Sequence, residues 1–254
     1  MKIVILCSSD IVWATPVWEQ TIPALKSQNY EIIELIEISG KPKPRHSYFR
    51  AFGPLCFFKL ALYAFKIIML RVLLWKPVTL KQLCRSVGVK HTKIRSPKDS
   101  ITLDKLENNG IDLIISMTDF ILSKKLIGVP KLGILNKHAS LLPANKGILP
   151  FFWAEIKSEK QGVSYHLMDE KIDEGPIIYQ YKLSPAKFNS LIAFYRQVFS
   201  NYPQDIVKTT QMIISNKREL VDSSQDSYNS FPDKSEVTKF RQSGGKIISY
   251  LDFL

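Results

Sequence analysis

The sequence has few of the residues that build metal sites and disulfide frameworks. It contains four histidines and three cysteines in 254 residues, and Cys7, Cys56 and Cys84 lie far apart with no Cys-x-x-Cys pair. We therefore expect neither a disulfide framework nor a metal site, and a cytoplasmic location is the simplest. The phosphate-loop patterns GxGxxG and GxxxxGK[ST] and the zinc-protease pattern HExxH are also missing, which argues against the commonest nucleotide and zinc sites.

Long uncharged hydrophobic runs are missing as well. The apolar run after Lys2 is too short for a secretory signal and predicts a buried first strand. Residues 55–75 are the most membrane-like stretch, but Lys59, Lys66 and Arg71 interrupt it, so we expect no transmembrane segment. Two interpretations remain: a long helix packed on a sheet with its lysine stems along the surface, or a basic amphipathic helix resting on an anionic membrane.

The composition itself is that of an ordinary globular protein, with 45% hydrophobic and 23% charged residues. The length allows one large α/β domain with an appendage, or two unequal domains. A net charge of +12 admits nucleic acid, anionic membrane surfaces or phosphorylated small molecules as partners. Charge alone does not choose among them.

Apolar runs of strand length alternate with helical segments along the first two thirds of the chain. This alternation predicts an α/β fold with a Rossmann-like, mostly parallel sheet covered by helices. The predicted strands are residues 2–7, 31–38, 111–117, 132–136, 162–168 and 176–183. The predicted helices are residues 16–26, the long stretch at 55–75, residues 103–109 and residues 190–215, the last broken near Pro203.

The C-terminal part differs in composition. Residues 216–229 are polar and rich in serine, which is typical of a linker or an irregular segment. Asp233 and Glu236 have capping-box spacing, Gly244 can end the helix that follows, and residues 246–251 can form a strand. We predict a main domain of residues 1–215 and a small α+β extension of residues 216–254 that folds against the core.

Asn136, His138 and Asp173 are the candidate reactive residues. Asn136 and His138 are two apart, so an extended backbone directs both to one side, at the strand end where open α/β sheets bind ligands. An amide, an imidazole and a carboxylate together can stabilise an oxyanion and move a proton. The same residues also suit hydrogen bonding to loops and an ordinary turn, so the pattern alone leaves both interpretations open.

Several motifs in order carry a resemblance. They are Asn136-x-His138-x-Ser140-Leu-Leu-Pro143, then Gly162-Val163 with His166, and then Asp173 with Gly175. This series resembles the core signature of the 10-formyl-tetrahydrofolate-dependent formyltransferases, most closely the nucleotide-sugar N-formyltransferases, whose catalytic core is like that of methionyl-tRNA formyltransferase. Ala139 stands where proline is usual and Ser164 where threonine is usual. Neither change removes a reacting group.

The resemblance implies site residues and a co-substrate. Asn136, His138 and Asp173 would be the catalytic trio, supported by His166, Ser140 and Gly147, with N10-formyltetrahydrofolate as formyl donor and no metal. The pterin of the donor would enter a slot between two loops, although Phe120 and Leu122 suit ordinary packing equally well. The residues of this slot are Met117, Thr118, Phe120, Ile121, Leu122, Met168, Asp169 and Ile172.

The expected acceptor is a nucleotide-diphosphate amino sugar, used in surface-polysaccharide or lipopolysaccharide precursor synthesis. Chain length favours this branch of the family over the methionyl-tRNA and glycinamide ribonucleotide branches. Methionyl-tRNA as acceptor and a non-catalytic folate-binding relative remain alternatives, no specific nucleic-acid partner is expected, and a homodimer is left open. The acceptor-binding candidates are Lys146, Trp153, Tyr228 and Phe231, with Lys41, Lys43, Arg45 and Arg50 as further diphosphate ligands.

Overall fold

The computed structural model describes residues 1–10, 12–40, 51–184, 190–221 and 225–254, with the backbone alone at residues 100 and 101. The strands are β1 (Lys2–Ser8), β2 (Glu31–Ile38), β3 (Lys90–Ile94), β4 (Leu113–Met117), β5 (Ile134–His138), β6 (Lys146–Gly147), β7 (Gly162–Leu167), β8 (Ile177–Lys182) and β9 (Tyr228–Asn229). The helices are α1 (Ala14–Lys26), α2 (Pro54–Leu73), α3 (Leu80–Ser86), α4 (Ser100–Asn108), α5 (Lys124–Ile127), α6 (Pro150–Lys157), α7 (Leu191–Ile214) and α8 (Lys234–Gln242), followed by a 3₁₀ turn (Tyr250–Phe253).

A seven-stranded sheet organises the described part of the chain, in the order β3-β2-β1-β4-β5-β7-β8. Strands β1 to β5 pair in parallel, whereas β7 and β8 are antiparallel to their neighbours. This confirms the predicted Rossmann-like, mostly parallel α/β sheet. Strand β1 lies inside the sheet and both its faces are apolar: Ile3 and Ile5 enter one hydrophobic core, and Val4 and Leu6 enter the other.

Helices cover both faces of this sheet. The larger core is formed with α1 and α7, through residues such as Trp18 and Phe194. The smaller core is formed with α4 and α5, through Leu106 and Leu126. The two layers leave the carboxyl ends of the parallel strands open at one edge, which is where the loops that follow β1, β4 and β5 begin.

Pro203 does not break α7, contrary to the sequence prediction. The helix runs unbroken from Leu191 to Ile214 with Pro203 inside it. Proline removes one helical hydrogen bond, but Tyr202 and Ile206 beside it are completely buried in the larger core. The packing of this face holds the helix together despite the missing donor.

Helix α2 does not lie on the sheet. Only Tyr63 and Arg71 of its 20 residues are buried. Tyr63 packs with Ile192 at the start of α7 and with Ile248 near the C-terminus. The interpretation of residues 55–75 as a helix packed on the sheet is therefore wrong. Across the described residues, no helix combines the length and the apolarity needed to cross a membrane.

The C-terminal segment belongs to the larger core. Val237 and Phe240 of α8 are buried within it, and the predicted capping box of Asp233 and Glu236 begins that helix. The predicted strand at residues 246–251 is not formed. Its carbonyl groups at 246 and 247 instead accept hydrogen bonds from the first backbone N–H groups of α7, which would otherwise lack partners.

Candidate functional site

The site lies at the carboxyl end of β5. Antiparallel pairing with β7 places Asn136 opposite His166. Alternation along β5 puts Asn136 and His138 on one face of the sheet and Lys137 on the other. The loop after β7 then returns to the same place and brings Asp173 to His138 and His166.

Asp173 lies between the two histidines. Its carboxylate is 3.5 Å from Nδ1 of His138 and 3.6 Å from Nε2 of His166. The backbone N–H of Gly147 donates a 2.8 Å hydrogen bond to Oδ2 of Asp173. Asp173 also adopts a left-handed backbone conformation, with φ of 55°, which directs its largely buried side chain into this group. Three separate segments thus converge on one carboxylate.

His166 orients the Asn136 amide. Nδ1 of His166 lies 3.1 Å from the Leu167 carbonyl oxygen, which can only accept, so Nδ1 carries the proton. Nε2 is then free to accept from Nδ2 of Asn136, at 3.3 Å. Burial lowers the pKa of His166 to about 4, which keeps the ring neutral and preserves this acceptor. One N–H of the Asn136 amide is held, and the other remains available.

The loop after β5 fixes the orientation of His138. Nε2 of His138 donates to the Asn145 carbonyl oxygen at 2.8 Å, so Nδ1 is the nitrogen that faces Asp173. The loop is closed by Ser140, whose hydroxyl donates to the Ala144 carbonyl oxygen at 2.6 Å. Ser140, expected to support the site, therefore acts on the loop that holds the histidine.

Two glycines permit the close approach of these loops. Gly147 has φ of +94°, and a Cβ there would lie 2.4 Å from the Asn229 carbonyl oxygen. A Cβ on Gly175 would lie 1.8 Å from the Leu167 carbonyl oxygen. Any side chain at either position would displace backbone next to Asp173.

The C-terminal segment is paired with the loop that carries Gly147. Strand β9 runs parallel to β6, with Tyr228 beside Lys146 and Asn229 beside Gly147. The segment predicted as irregular therefore contains a short strand at Tyr228. The half-exposed Tyr228 ring lies against Gly147, at the edge of the site. The ammonium group of buried Lys146 is 3.1 Å from Glu174 and 2.8 Å from Asp226, so two carboxylates already bind it.

Of the acceptor-binding candidates, Trp153 lies in the core and Phe231 packs against it. Trp153 is buried on α6 and packs against Phe152, edge to face. Phe231 packs on the same core, with its ring 6.4 Å from that of Phe52. The described contacts of Trp153 and Phe231 are therefore with aromatic residues of the core. The diphosphate candidates Lys41, Lys43, Arg45 and Arg50 lie outside the described residues.

The two segments of the predicted pterin slot are neighbours in space. Phe120 and Met168 pack on the smaller core, where Leu122 is buried. Thr118 is hydrogen-bonded to Ser8 at 2.8 Å, and Met117 ends β4. By contrast, Ile121, Asp169 and Ile172 expose their side chains on the two loops. An ion pair of 2.6 Å between Lys124 and Glu170 also links the two sides.

Lys137 is a charged residue at this edge that the sequence analysis did not single out. Its ammonium group lies 4.3 Å from the ring centre of Phe199 and 5.3 Å from that of Tyr195. Burial lowers its pKa to about 8, opposed by the charge of Asp119. A lysine between Asn136 and His138 at the end of the strand was the available signal. Asn145 was also missed, because its contact with His138 uses a backbone carbonyl.

Comparison with known proteins gives a family. Residues 72–208 match the family described as "Formyl transferase". Methionyl-tRNA formyltransferase of Clostridioides difficile is 31% identical over 180 residues, covering 70% of this chain and 48% of that protein. The chain spans less than two thirds of the length of the curated relatives it matches.

Solved structures share the fold. A sugar N-formyltransferase from Shewanella sp. FDAARGOS_354 superimposes with a TM-score of 0.60 at 16% identity, covering 90% of this chain and 76% of that one. WlaRD, a sugar 3N-formyl transferase solved in the presence of dTDP and 5-N-formyl-THF, gives 0.56 at 19% identity, covering 90% and 69%. At these identities the likeness concerns the fold alone.

Proposed function

Because this chain belongs to the formyl transferase family, we propose that it transfers a formyl group from N10-formyltetrahydrofolate to the primary amine of a nucleotide-linked amino sugar. The observation that carries the proposal is the convergence of Asn136, His138 and Asp173 at the carboxyl end of β5, with Asp173 3.5 Å from His138. The donor supplies an activated one-carbon group. These side chains would stabilise the negative charge that develops on oxygen and accept the proton of the amine.

Asp173 is the proposed proton acceptor. An amine that adds to a formyl carbon must lose a proton, and a carboxylate held by the Gly147 N–H and flanked by two imidazoles is fixed in place to receive it. The neutral His166 cannot compete as a donor to Asp173, because its Nδ1–H is committed to the Leu167 carbonyl oxygen.

Asn136 and His138 are the proposed donors to the oxygen that gains negative charge. Asn136 keeps one amide N–H after the bond to His166, and a protonated His138 has a second N–H at Nδ1 while its Nε2–H is committed to Asn145. Donors held by protein contacts before the reaction need no reorganisation during it, which is why such groups lower the barrier.

The residues around the predicted slot fit a folate donor. A pterin is flat, with apolar faces and a hydrogen-bonding edge, and the exposed Ile121 and Ile172 offer apolar surface on the two loops. Phe120 and Met168 anchor those loops on the smaller core, so the spacing between them is held by packing. The residues that would hold the donor are those of the loops 117–122 and 168–173.

The choice of a sugar nucleotide as acceptor rests on the relatives. WlaRD was solved with dTDP, and the Shewanella protein is described as a sugar N-formyltransferase, each sharing its fold with 90% of this chain. Methionyl-tRNA formyltransferases among the curated relatives favour the competing acceptor. The half-exposed Tyr228 ring beside Gly147 is the proposed contact for a nucleotide base.

Separate assays with each acceptor distinguish the two possibilities. The purified protein is incubated with N10-formyltetrahydrofolate and either a panel of dTDP-, UDP- and GDP-linked amino sugars or methionyl-tRNA, and products are measured by mass spectrometry. We expect one formyl group to be added to a sugar nucleotide, and tRNA contacts that collapse between about 50 and 200 mM salt. Salt-resistant formylation of methionyl-tRNA would overturn the sugar proposal, and no formylation of any amine would overturn both.

A further inference from the structure

Helix α2 carries a row of exposed apolar side chains on the side that faces away from the protein. The members follow one another at alternating intervals of three and four residues, which places them on one face of the helix. We call this row the outer stripe; its residues are Leu55, Phe58, Leu62, Phe65, Met69 and Val72, all exposed. Trp75, 96% exposed, extends it just beyond the end of the helix.

Other side chains of α2 fix the helix to the protein by specific contacts. Arg71 is paired with Glu19 at 3.0 Å and donates to the Pro77 carbonyl oxygen at 2.6 Å. Lys66 donates to the Phe253 carbonyl oxygen at 2.5 Å, and Tyr63 packs on Ile192. These contacts set the rotation of α2 about its axis, so the outward direction of the stripe is a property of the fold.

Positive charge is concentrated in the part of the sequence that contains this helix. Residues 38–98 contain 14 of the 35 lysines and arginines and none of the 23 acidic residues. The other 21 basic residues accompany all the acidic ones, so the rest of the chain is close to neutral and this segment accounts for the net charge of +12. Exposed Lys59 and Lys76 lie beside the outer stripe.

We propose that the outer stripe of α2 docks on the surface of an anionic lipid bilayer, with the helix lying along the membrane and not across it. Apolar side chains would enter the boundary between headgroups and acyl chains, and the surrounding lysines would meet lipid phosphates. Trp75 suits this boundary, where tryptophan is enriched. The proposal concerns a surface apart from the catalytic residues and does not depend on the proposed reaction.

The absence of acidic residues in α2 favours a bilayer over a second copy of the chain as the partner of the outer stripe. A row of apolar residues at three- and four-residue spacing can form a helix-helix interface, in which acidic and basic side chains at the flanks usually pair. Helix α2 has no acidic residue, so two copies would bring lysines together without a counter-charge. A bilayer containing acidic lipids supplies that counter-charge.

The test uses the full-length protein and vesicles of phosphatidylcholine with or without phosphatidylglycerol. We expect co-sedimentation with the anionic vesicles that weakens between about 50 and 500 mM salt, and little with phosphatidylcholine alone. The fluorescence of Trp75 should shift to shorter wavelength on binding, and this change should be lost in Trp75→Phe.

Matched variants distinguish binding through the outer stripe from nonspecific binding through other exposed apolar residues. Phe58→Glu with Phe65→Glu should lower vesicle binding by at least about tenfold, because both positions face solvent in the free protein and lipid in the bound one. Ile214→Glu with Leu220→Glu, at apolar positions of similar exposure outside α2, should bind as the wild type does. Circular dichroism checks that both variants fold.

Two outcomes would overturn the proposal. One is equal vesicle binding by the stripe variant and the wild type. The other is no vesicle binding at all; if, in addition, sedimentation velocity shows a wild-type dimer that the stripe variant converts to a monomer, the outer stripe is a homodimer interface.

Discussion

The backbone N–H of Gly147 is 2.8 Å from the carboxylate of Asp173, across 26 residues of sequence. This bond joins the loop that holds His138 to the loop that carries the proposed base. Because the donor belongs to the backbone, its position depends on how the loop packs. The contact makes the geometry of the site sensitive to changes in either loop.

Asp173→Asn should lower kcat by about 10²–10⁴ while the dissociation constant for the folate donor changes only a few-fold. Asparagine keeps the size and can still accept from Gly147, but it cannot take a proton from an amine. Single-turnover kinetics and donor titration measure the two effects. Turnover near that of the wild type would remove Asp173 from the mechanism.

His138→Asn should lower the rate of the chemical step by about 10²–10³ with a smaller effect on KM. A donor aimed at developing charge acts mainly in the transition state, so its loss appears in kcat. Ser140→Ala is a useful comparison, because it loosens the loop through the Ala144 carbonyl without removing the imidazole. A change confined to KM would make His138 a binding group only.

The buried His166 should make the protein less stable in acid. The folded-state pKa of about 4 lies below the ordinary value of 6.5, so the fold favours the neutral ring. Its contribution is complete above pH 6.5 and is lost as the pH falls towards 4, by on the order of 3 kcal/mol. Urea unfolding at several pH values should show a flatter dependence for His166→Gln. Parallel curves would assign the acid sensitivity to other groups.

Gly147→Ala should destabilise the protein by about 1–3 kcal/mol and also lower kcat/KM, because the new methyl group meets the Asn229 carbonyl and shifts the N–H that holds Asp173. Gly244→Ala is the matched control, since Gly244 has a similar positive φ of +87° with open space around it. Activity in Gly147→Ala equal to that of the control would show that the loop adapts without disturbing Asp173.

Phe240→Ala should lower the free energy of unfolding by about 3–5 kcal/mol in a single transition, because Phe240 is buried in the larger core against Phe152. Tyr250→Ala, at a position 76% exposed, should change stability by less than about 0.5 kcal/mol. A separate early transition for the C-terminal segment would instead support its independence from residues 1–215.

Local patterns were enough for much of this protein. The alternation of apolar runs predicted the parallel sheet, and the spacing of Asp233 and Glu236 predicted the start of α8. The strand that bears Asn136 and His138 was also evident, because side-chain alternation along an extended backbone needs no distant partner. Each of these features depends on residues close together in the chain.

Long-range packing decided the rest. Pro203 remains inside a helix because packing on the core stabilises α7. Residues 246 and 247 do not form a strand; their carbonyl groups accept hydrogen bonds from the first backbone N–H groups of that helix. The pairing of Gly147 with Asn229 and the ion pair of Lys146 with Asp226 join residues about 80 positions apart. No local preference specifies such partners, because they meet only when the sheet and helices bury their apolar faces together. The sequence determined which side chains could react, and the tertiary structure alone determined which nitrogen of His138 faces Asp173.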